Sequence, residues 1–336
     1  MESVDPSSAF SLPEGFASRP ASRDDLDAVF ALLTACDIHV LGEPDYDISD
    51  LRDDWRDTQL EPDTRVVEDA AGAIVGYTRA VDRTFIRPSG DVYVRPAAEG
   101  RGIGTWLTRW LEDRARTKLH LAPDGARVAL EFGTSAEHAP AVDLLTNEGY
   151  ATERYFLRMT IDLRDAAPTT PAWPGGITVR THNTGPDDEA VYEAVEESFS
   201  DHWGHTRDTY ERWRKRTVER QEWFAPELWF LAMSGDEIAG VALCGDYADM
   251  GHGWVNTVGV RRPWRRTGVA LALLHHAFAE FHRRGRATVA LGVDAQSLTG
   301  ATRVYEKAGM RVKHRFALLT KELRPGVEFT TQELPE

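Results

Sequence analysis

The order of features in the first half of this chain recurs in the second, which confines it to two copies of one structural unit. Each half opens on a short strand ending in a basic residue, Arg19 in PEGFASRP and Arg180 in GGITVRT. A helix with acids in its first turn follows, DDLDAVFALLTAC or DDEAVYEAVEESF, where carboxylates complement the helix dipole. A second helical stretch is expected around 47–58 and 207–220, and then two strands joined by a short turn: TRVVED with AGAIVGYTRAV, and LWFLAMS with IAGVALCGDY. A further strand runs through a glycine-bearing loop into a long amphipathic helix, VYVRP before GIGTWLTRWLEDRAR and WVNTVGV before GVALALLHHAFAEFHRR. Each half closes with a buried-looking strand (RVALEF; ATVALGV), a short helix and a final strand pair. Gly149 and Gly309 are read as the left-handed residues that end the short helices. The expected fold class is α/β (α+β), with a mixed, mostly antiparallel sheet flanked by helices in each unit.

The run DAAPTTPAWPGG, with three prolines and two terminal glycines, reads as a linker. It divides the chain into an N-terminal domain, 1–165, a linker, 166–176, and a C-terminal domain, 177–336. A length of 336 residues suits two domains, and 42% hydrophobic with 28% charged residues suits a globular protein. No apolar run approaches the roughly 20 residues that cross a bilayer, so no membrane association is expected. Met1 to Phe16 lacks basic residues and an apolar core, so no secretory signal is expected either. Cys36 and Cys244 match no metal or redox spacing, which points to a reducing cytoplasm. The net charge is −15, with 18 Lys+Arg against 31 Asp+Glu in residues 1–165 and 21 against 23 in 166–336. Neither half has the basic excess of a nucleic-acid binder, and the second is the better host for a polyanionic small ligand.

A strand leading through a glycine turn into a helix start aims backbone N–H groups and a positive dipole end at one point, making an anion cradle. The second half has Arg265-Arg266-Thr267-Gly268-Val269-Ala270, preceded by Arg261 and Arg262, so four arginines flank its loop. The first half has Glu99-Gly100-Arg101-Gly102-Ile103-Gly104, where Glu99 sets a carboxylate in place of a cation. Neither loop carries the Gly-Lys-Ser/Thr of a nucleotide P-loop or the acidic partner of a dinucleotide fold. His275 and His276 are adjacent on a helix and do not share a face, so they are not expected to pair on a metal. The nine carboxylates between Gly42 and Asp63 read as a solvated helical face, with attraction of a cationic substrate as the alternative.

The order strand, R-x-x-G-x-A, helix, strand, then Tyr305-Glu306-Lys307-Ala308-Gly309-Met310 resembles the GNAT superfamily of acyl-CoA-dependent N-acyltransferases. The first half resembles a second, more degenerate GNAT unit, and tandem units of this kind resemble mycothiol synthase and related actinobacterial acetyltransferases. The resemblance implies that acetyl-CoA is the co-substrate, its pyrophosphate held by the amides of Arg266, Thr267, Gly268, Val269 and Ala270. Arg265 matches the leading basic residue of the motif. Val258, Gly259 and Val260 would meet the pantetheine arm through main-chain groups, and Ser297 stands where the family often has an asparagine near the cofactor. The family's tyrosine, which protonates the departing thiolate, falls on Tyr305. A phenol with a pKa of about 10 suits that task.

The incoming amine must lose a proton, yet Trp254, Asn256 and Val258, taken to share one strand face, include no acid. Asp294, His202 and Asp201 are the candidate bases, and Asp201, His202, Trp203, Asn256 and Asp294 the candidate acceptor contacts. Leu145 stands at the tyrosine position of the first half, which therefore reads as a structural or substrate-shaping copy. The expected reaction is direct transfer of an acetyl group to the primary amine of a small molecule in a ternary complex, by a monomer or homodimer using no metal. A non-catalytic acyl-CoA-binding or regulatory protein and a peptide N-terminal acetyltransferase are the alternatives.

Overall fold

Apolar residues alternating along short strands and spaced by three and four along the helices require a sheet with helices packed on it. The structure, a computed structural model, describes residues 11–82, 84–164, 168–219, 224–297 and 300–331. The first half contains β1 (Phe16–Arg19), α1 (Leu26–Leu41), α2 (Ile48–Asp57), α3 (Leu60–Asp63), β2 (Thr64–Asp69), β3 (Ile74–Val81), β4 (Ser89–Val94), α4 (Ile103–Thr117), β5 (Val128–Ser135), α5 (Ala139–Asn147) and β6 (Ala151–Asp162). The second contains β7 (Ile177–Thr181), α6 (Asp188–Phe199), α7 (Tyr210–Thr217), β8 (Trp229–Ser234), β9 (Glu237–Tyr247), β10 (His252–Val260), α8 (Val269–Arg283), β11 (Thr288–Asp294), α9 (Ala301–Lys307) and β12 (Arg311–Arg324).

The chain forms two compact units, but their membership does not follow the linker. Unit 1 comprises residues 1–155 and 315–329, and unit 2 comprises 156–314 and 330–336. The cause lies in the closing strands. The strand pair expected after each short helix is one long strand, β6 or β12, and each completes the sheet of the other half. Unit 1 runs β1-β2-β3-β4-β5-β12, with Phe316 opposite Ser135 and Lys321 opposite Leu130. Unit 2 runs β6-β11-β10-β9-β8-β7, with Phe156 opposite Asp294 and Met159 opposite Leu291. Residues 168–176 of the expected linker contain no helix or strand, and residues 165–167 lie outside the described residues.

In both units the pairing is antiparallel except at the centre, where β4 pairs parallel with β5 and β10 with β11. In unit 1, Trp106, Leu107, Trp110 and Leu111 of α4 fill one face, and Val29, Leu32 and Leu33 of α1 join Trp55 on the other. In unit 2, Leu273, Leu274, Ala277, Phe278 and Phe281 of α8 pack one face, and Val191 and Tyr192 of α6 meet Trp213 and Trp229 on the other. Each such large apolar side chain contributes about 1.5–3 kcal/mol on burial. His276 packs edge-on to Phe230 and at a tilt to Trp173, in keeping with a packing role.

The acidic run is a solvated face only in part, with Asp57 and Glu61 exposed. Asp53 is buried, Asp54 pairs with Arg79, and Asp63 takes both Arg114 and Lys118, so these charges pin α2 and α3 to the unit 1 framework. No helix among the described residues is long and apolar enough to cross a membrane.

Candidate active site

In unit 2 the parallel pairing of β10 with β11 spans only His252–Trp254 and Thr288–Ala290, and beyond it the two strands part. The opening holds a cavity of about 220 Å³. Val255, Asn256, Thr257 and Val258 line one wall, Leu291, Gly292, Val293 and Asp294 the other, and Tyr305 with Ser297 and Ala301 close the end. Four consecutive β10 residues reach the cavity because the β9 register shifts between Val255 and Thr257. This irregularity breaks the two-residue alternation. The expectation that Trp254, Asn256 and Val258 share one face is corrected accordingly.

Tyr305 lies on α9, 8% exposed, inside the apolar cluster under α8. Burial raises its phenol pKa to about 12, so it holds its proton throughout the neutral range. No group among the described residues accepts from this hydroxyl. His202 and Trp203 enter the cavity from the chain after α6, with the His202 ring edge-on to Phe199 at 4.3 Å between centroids. Burial, helped by the nearby Arg265 cation, pushes the His202 pKa below its ordinary value and leaves a neutral imidazole at pH 7.

The loop into α8 is a cradle by backbone geometry. Arg266 and Gly268 both have positive φ, 63° and 100°. Helix starts leave their first amides without helical partners, and the amides of residues 266–271 find no acceptor among the described residues. Residues 266–268 are exposed, while Val269 is buried and Ala270 half-buried.

The four flanking arginines divide unequally. Arg261 pairs with Glu197 at 2.6 Å, and Arg262 and Arg265 both pair with Asp201 at 2.7 and 2.5 Å. Arg265 also donates to the carbonyls of Val260 and Ser198. These three cations therefore fasten the loop to the end of α6, and Arg266 is the arginine with no ion-pair partner among the described residues. Arg265, expected as a cofactor contact, is a fastener, because a carboxylate 3% exposed holds its guanidinium. Asp201 is taken up in the same bridge and does not line the cavity, so it leaves the set of acceptor contacts and bases. Gly259 packs on α6: an added Cβ would lie 2.8 Å from Ser198 Cβ.

The Acetyltransferase (GNAT) family pattern matches the chain twice, over residues 26–146 and 189–310. The chain belongs to the GNAT acetyltransferase family. Among its relatives, the mycothiol acetyltransferase of Saccharopolyspora erythraea is 30% identical over 247 residues, 72% of this chain and 80% of that protein. The crystal structure of a GCN5-related N-acetyltransferase from Sphaerobacter thermophilus has 40% identity and a TM-score of 0.83, covering 96% of this chain and all of the other. A tandem GNAT protein from the clavulanic acid biosynthesis pathway shares the fold at 17% identity, with a TM-score of 0.69 over 93% of this chain and all of its own. The chain is thus a tandem GNAT-family N-acetyltransferase.

Its two GNAT units place matching residues in matching contacts. Arg95 donates to the Ile74 carbonyl as Arg261 does to that of Ile238, and Gly100 and Gly102 have positive φ where Arg266 and Gly268 do. The Tyr150 amide bonds to the Leu145 carbonyl as that of Met310 does to Tyr305, which fixes Leu145 as the counterpart of Tyr305. Leu145 is buried among apolar groups.

The unit 1 cleft is the larger, about 520 Å³, and its chemistry is opposite. Asp37, Asp45, Asp91 and Glu99 line it, with no lysine or arginine among the lining residues. Phe156, Thr257 and Leu291 of the unit 2 cavity were not legible as site residues. Phe156 carries no motif and arrives on the exchanged strand β6, and Thr257 is turned in by the register shift.

Proposed function

We propose that unit 2 transfers the acetyl group of acetyl-CoA to the primary amine of a small molecule by direct attack in a ternary complex, and that unit 1 is a non-catalytic copy. The observation that carries this reading is a buried, protonated Tyr305 opening into the cavity between the parted strands, with leucine at its counterpart in unit 1. The residues of unit 2 fit the co-substrate. Two left-handed positions precede unpaired amides at the start of α8, beside the Arg266 cation, where a pyrophosphate would be held. Val258 to Val260 would meet the pantetheine arm through main-chain groups beside the parted strands. Acetyl-CoA supplies the activated acetyl thioester; the chain supplies position and proton traffic.

Tyr305 Oη is the donor for the thiolate that leaves. Its raised pKa means that it gives the proton only to a strong base, which a desolvated thiolate is. His202, neutral and in the same cavity, receives the proton of the acceptor ammonium, with the Asp294 carboxylate in the facing wall. Both cysteine thiols are buried and pushed up in pKa, and neither lines the unit 2 cavity, which favours direct transfer over an acyl-enzyme. A cavity of about 220 Å³ suits a compact amine better than a polypeptide end, and the mycothiol acetyltransferase relatives support a small-molecule acceptor.

The test is release of free CoA from acetyl-CoA across a panel of amines, comparing the native chain with Tyr305→Phe. Loss of the general acid lowers kcat by about 10²–10⁴ with little change in acetyl-CoA affinity. A folded Tyr305→Phe protein with full turnover across pH 6–9 removes the phenol from the mechanism.

A further inference from the structure

Three elements of unit 1 converge on a group that acetyl transfer does not use. His39 stands in the last turn of α1, Glu99 ends the short turn before the glycine loop, and His138 is the N-cap of α5. One ligand atom from each, two imidazole nitrogens and a carboxylate oxygen, lies within 4.8 Å of the other two. His138 Nε2 is closed off from solvent and has no hydrogen-bond partner among the described residues. It faces Glu99 Oε1 across 3.9 Å, too far for a hydrogen bond. A desolvated nitrogen without a partner is costly, and something between these atoms would satisfy it.

We propose that His39, Glu99 and His138 bind a divalent transition-metal ion of the zinc class at the unit 1 cavity. Two imidazoles and one carboxylate suit zinc, cobalt or nickel, whereas calcium and magnesium call for oxygen donors throughout. An ion about 2.0–2.2 Å from each atom in a tetrahedral shell sets neighbouring donors roughly 3.4 Å apart. The 3.9 Å pair is already close to that, and His39, exposed at a helix end, closes the remaining separation by rotating its side chain.

Three ligands leave a fourth position. Glu99 and His138 both line the cavity, so that position opens into it, as in sites that keep a water or an exogenous group on the metal. The carboxylate that would repel a phosphate at this loop is then a donor. Asp37, Asp45 and Asp91 deepen the negative potential that holds a dication.

The experiment strips the full chain with a chelator, then titrates it with Zn²⁺ by calorimetry and with Co²⁺ by visible absorption. The proposal requires one saturable site, intense Co²⁺ bands of four- or five-fold coordination, and a Zn²⁺-dependent rise in Tm. His138→Ala and His39→Ala should each weaken Zn²⁺ binding by roughly tenfold or more and abolish the Tm rise. Because His39 is exposed, His39→Ala keeps the metal-free Tm and separates lost ligation from lost folding. No saturable site, or equal affinity in the His39→Ala/His138→Ala double variant, overturns the proposal. None of these readouts depends on acetyl transfer.

Discussion

Arg266 carries the cradle's unneutralised cation on a left-handed backbone, φ 63°, that costs a side chain roughly 1–2 kcal/mol. Gly100, its counterpart in unit 1, adopts φ 71° without that cost. Arg266→Gly should therefore keep the loop shape and weaken acetyl-CoA binding about tenfold, the worth of one charge-assisted contact, as measured by calorimetry. Asp201 behaves differently. Burial raises its pKa, but the hydrogen bonds from Arg265 and Arg262 outweigh burial and leave it below the ordinary carboxylate value. A depressed folded pKa stabilises above the unfolded value and is lost as pH falls through the folded one. Asp201→Asn should lower Tm at pH 7, and the difference from the native chain should shrink as pH falls from the ordinary carboxylate range through the depressed pKa of Asp201. For His202, the acid limb of kcat/KM should lie below pH 6.5 and flatten in His202→Gln, with Asp294 unchanged. The place of Tyr305 on a short helix closed by Gly309 was legible from local pattern, whereas its role came only from the family resemblance. The engagement of Arg265 was not legible, since its partner lies 64 residues earlier on another element.

Strand order within each half, the helices and the left-handed closures at Gly149 and Gly309 (φ 86° and 95°) all follow from local pattern and turn chemistry. The exchange of β6 and β12 does not. Both strands read alike in sequence, and no local pattern says whose sheet an edge strand will complete. The exchange decides what can fold alone. A fragment covering 156–314 contains every strand of unit 2 and should melt cooperatively. A fragment cut at the linker, 1–165, lacks β12 and its buried Ala317 and Leu319, and leaves the β5 edge bare. It should show no cooperative transition by circular dichroism, and a cooperative melt of 1–165 would show that β6 can stand in for β12.

Taken as one molecule, the chain keeps one backbone plan and gives its two clefts opposite electrostatics, a caged arginine loop in unit 2 and four carboxylates in unit 1. Acetyl-CoA should therefore bind with a stoichiometry of one per chain. Gly268→Glu should abolish binding, since it places both a charge and a strained φ in the cradle, while Gly102→Glu should spare it. Two equivalent calorimetric sites would show that the acidic lining does not exclude the cofactor. The exchanged strands also set a timetable on the ribosome. Unit 1 begins to emerge first, yet its sheet waits for Phe316 to Arg324, which are made only after the strands of unit 2. At ~5–20 residues per second, β5 stands with an open edge for roughly ten to forty seconds. A nascent chain therefore exposes the β5 edge while unit 2 is being made, and a stall in the second half strands the first half unfinished as well.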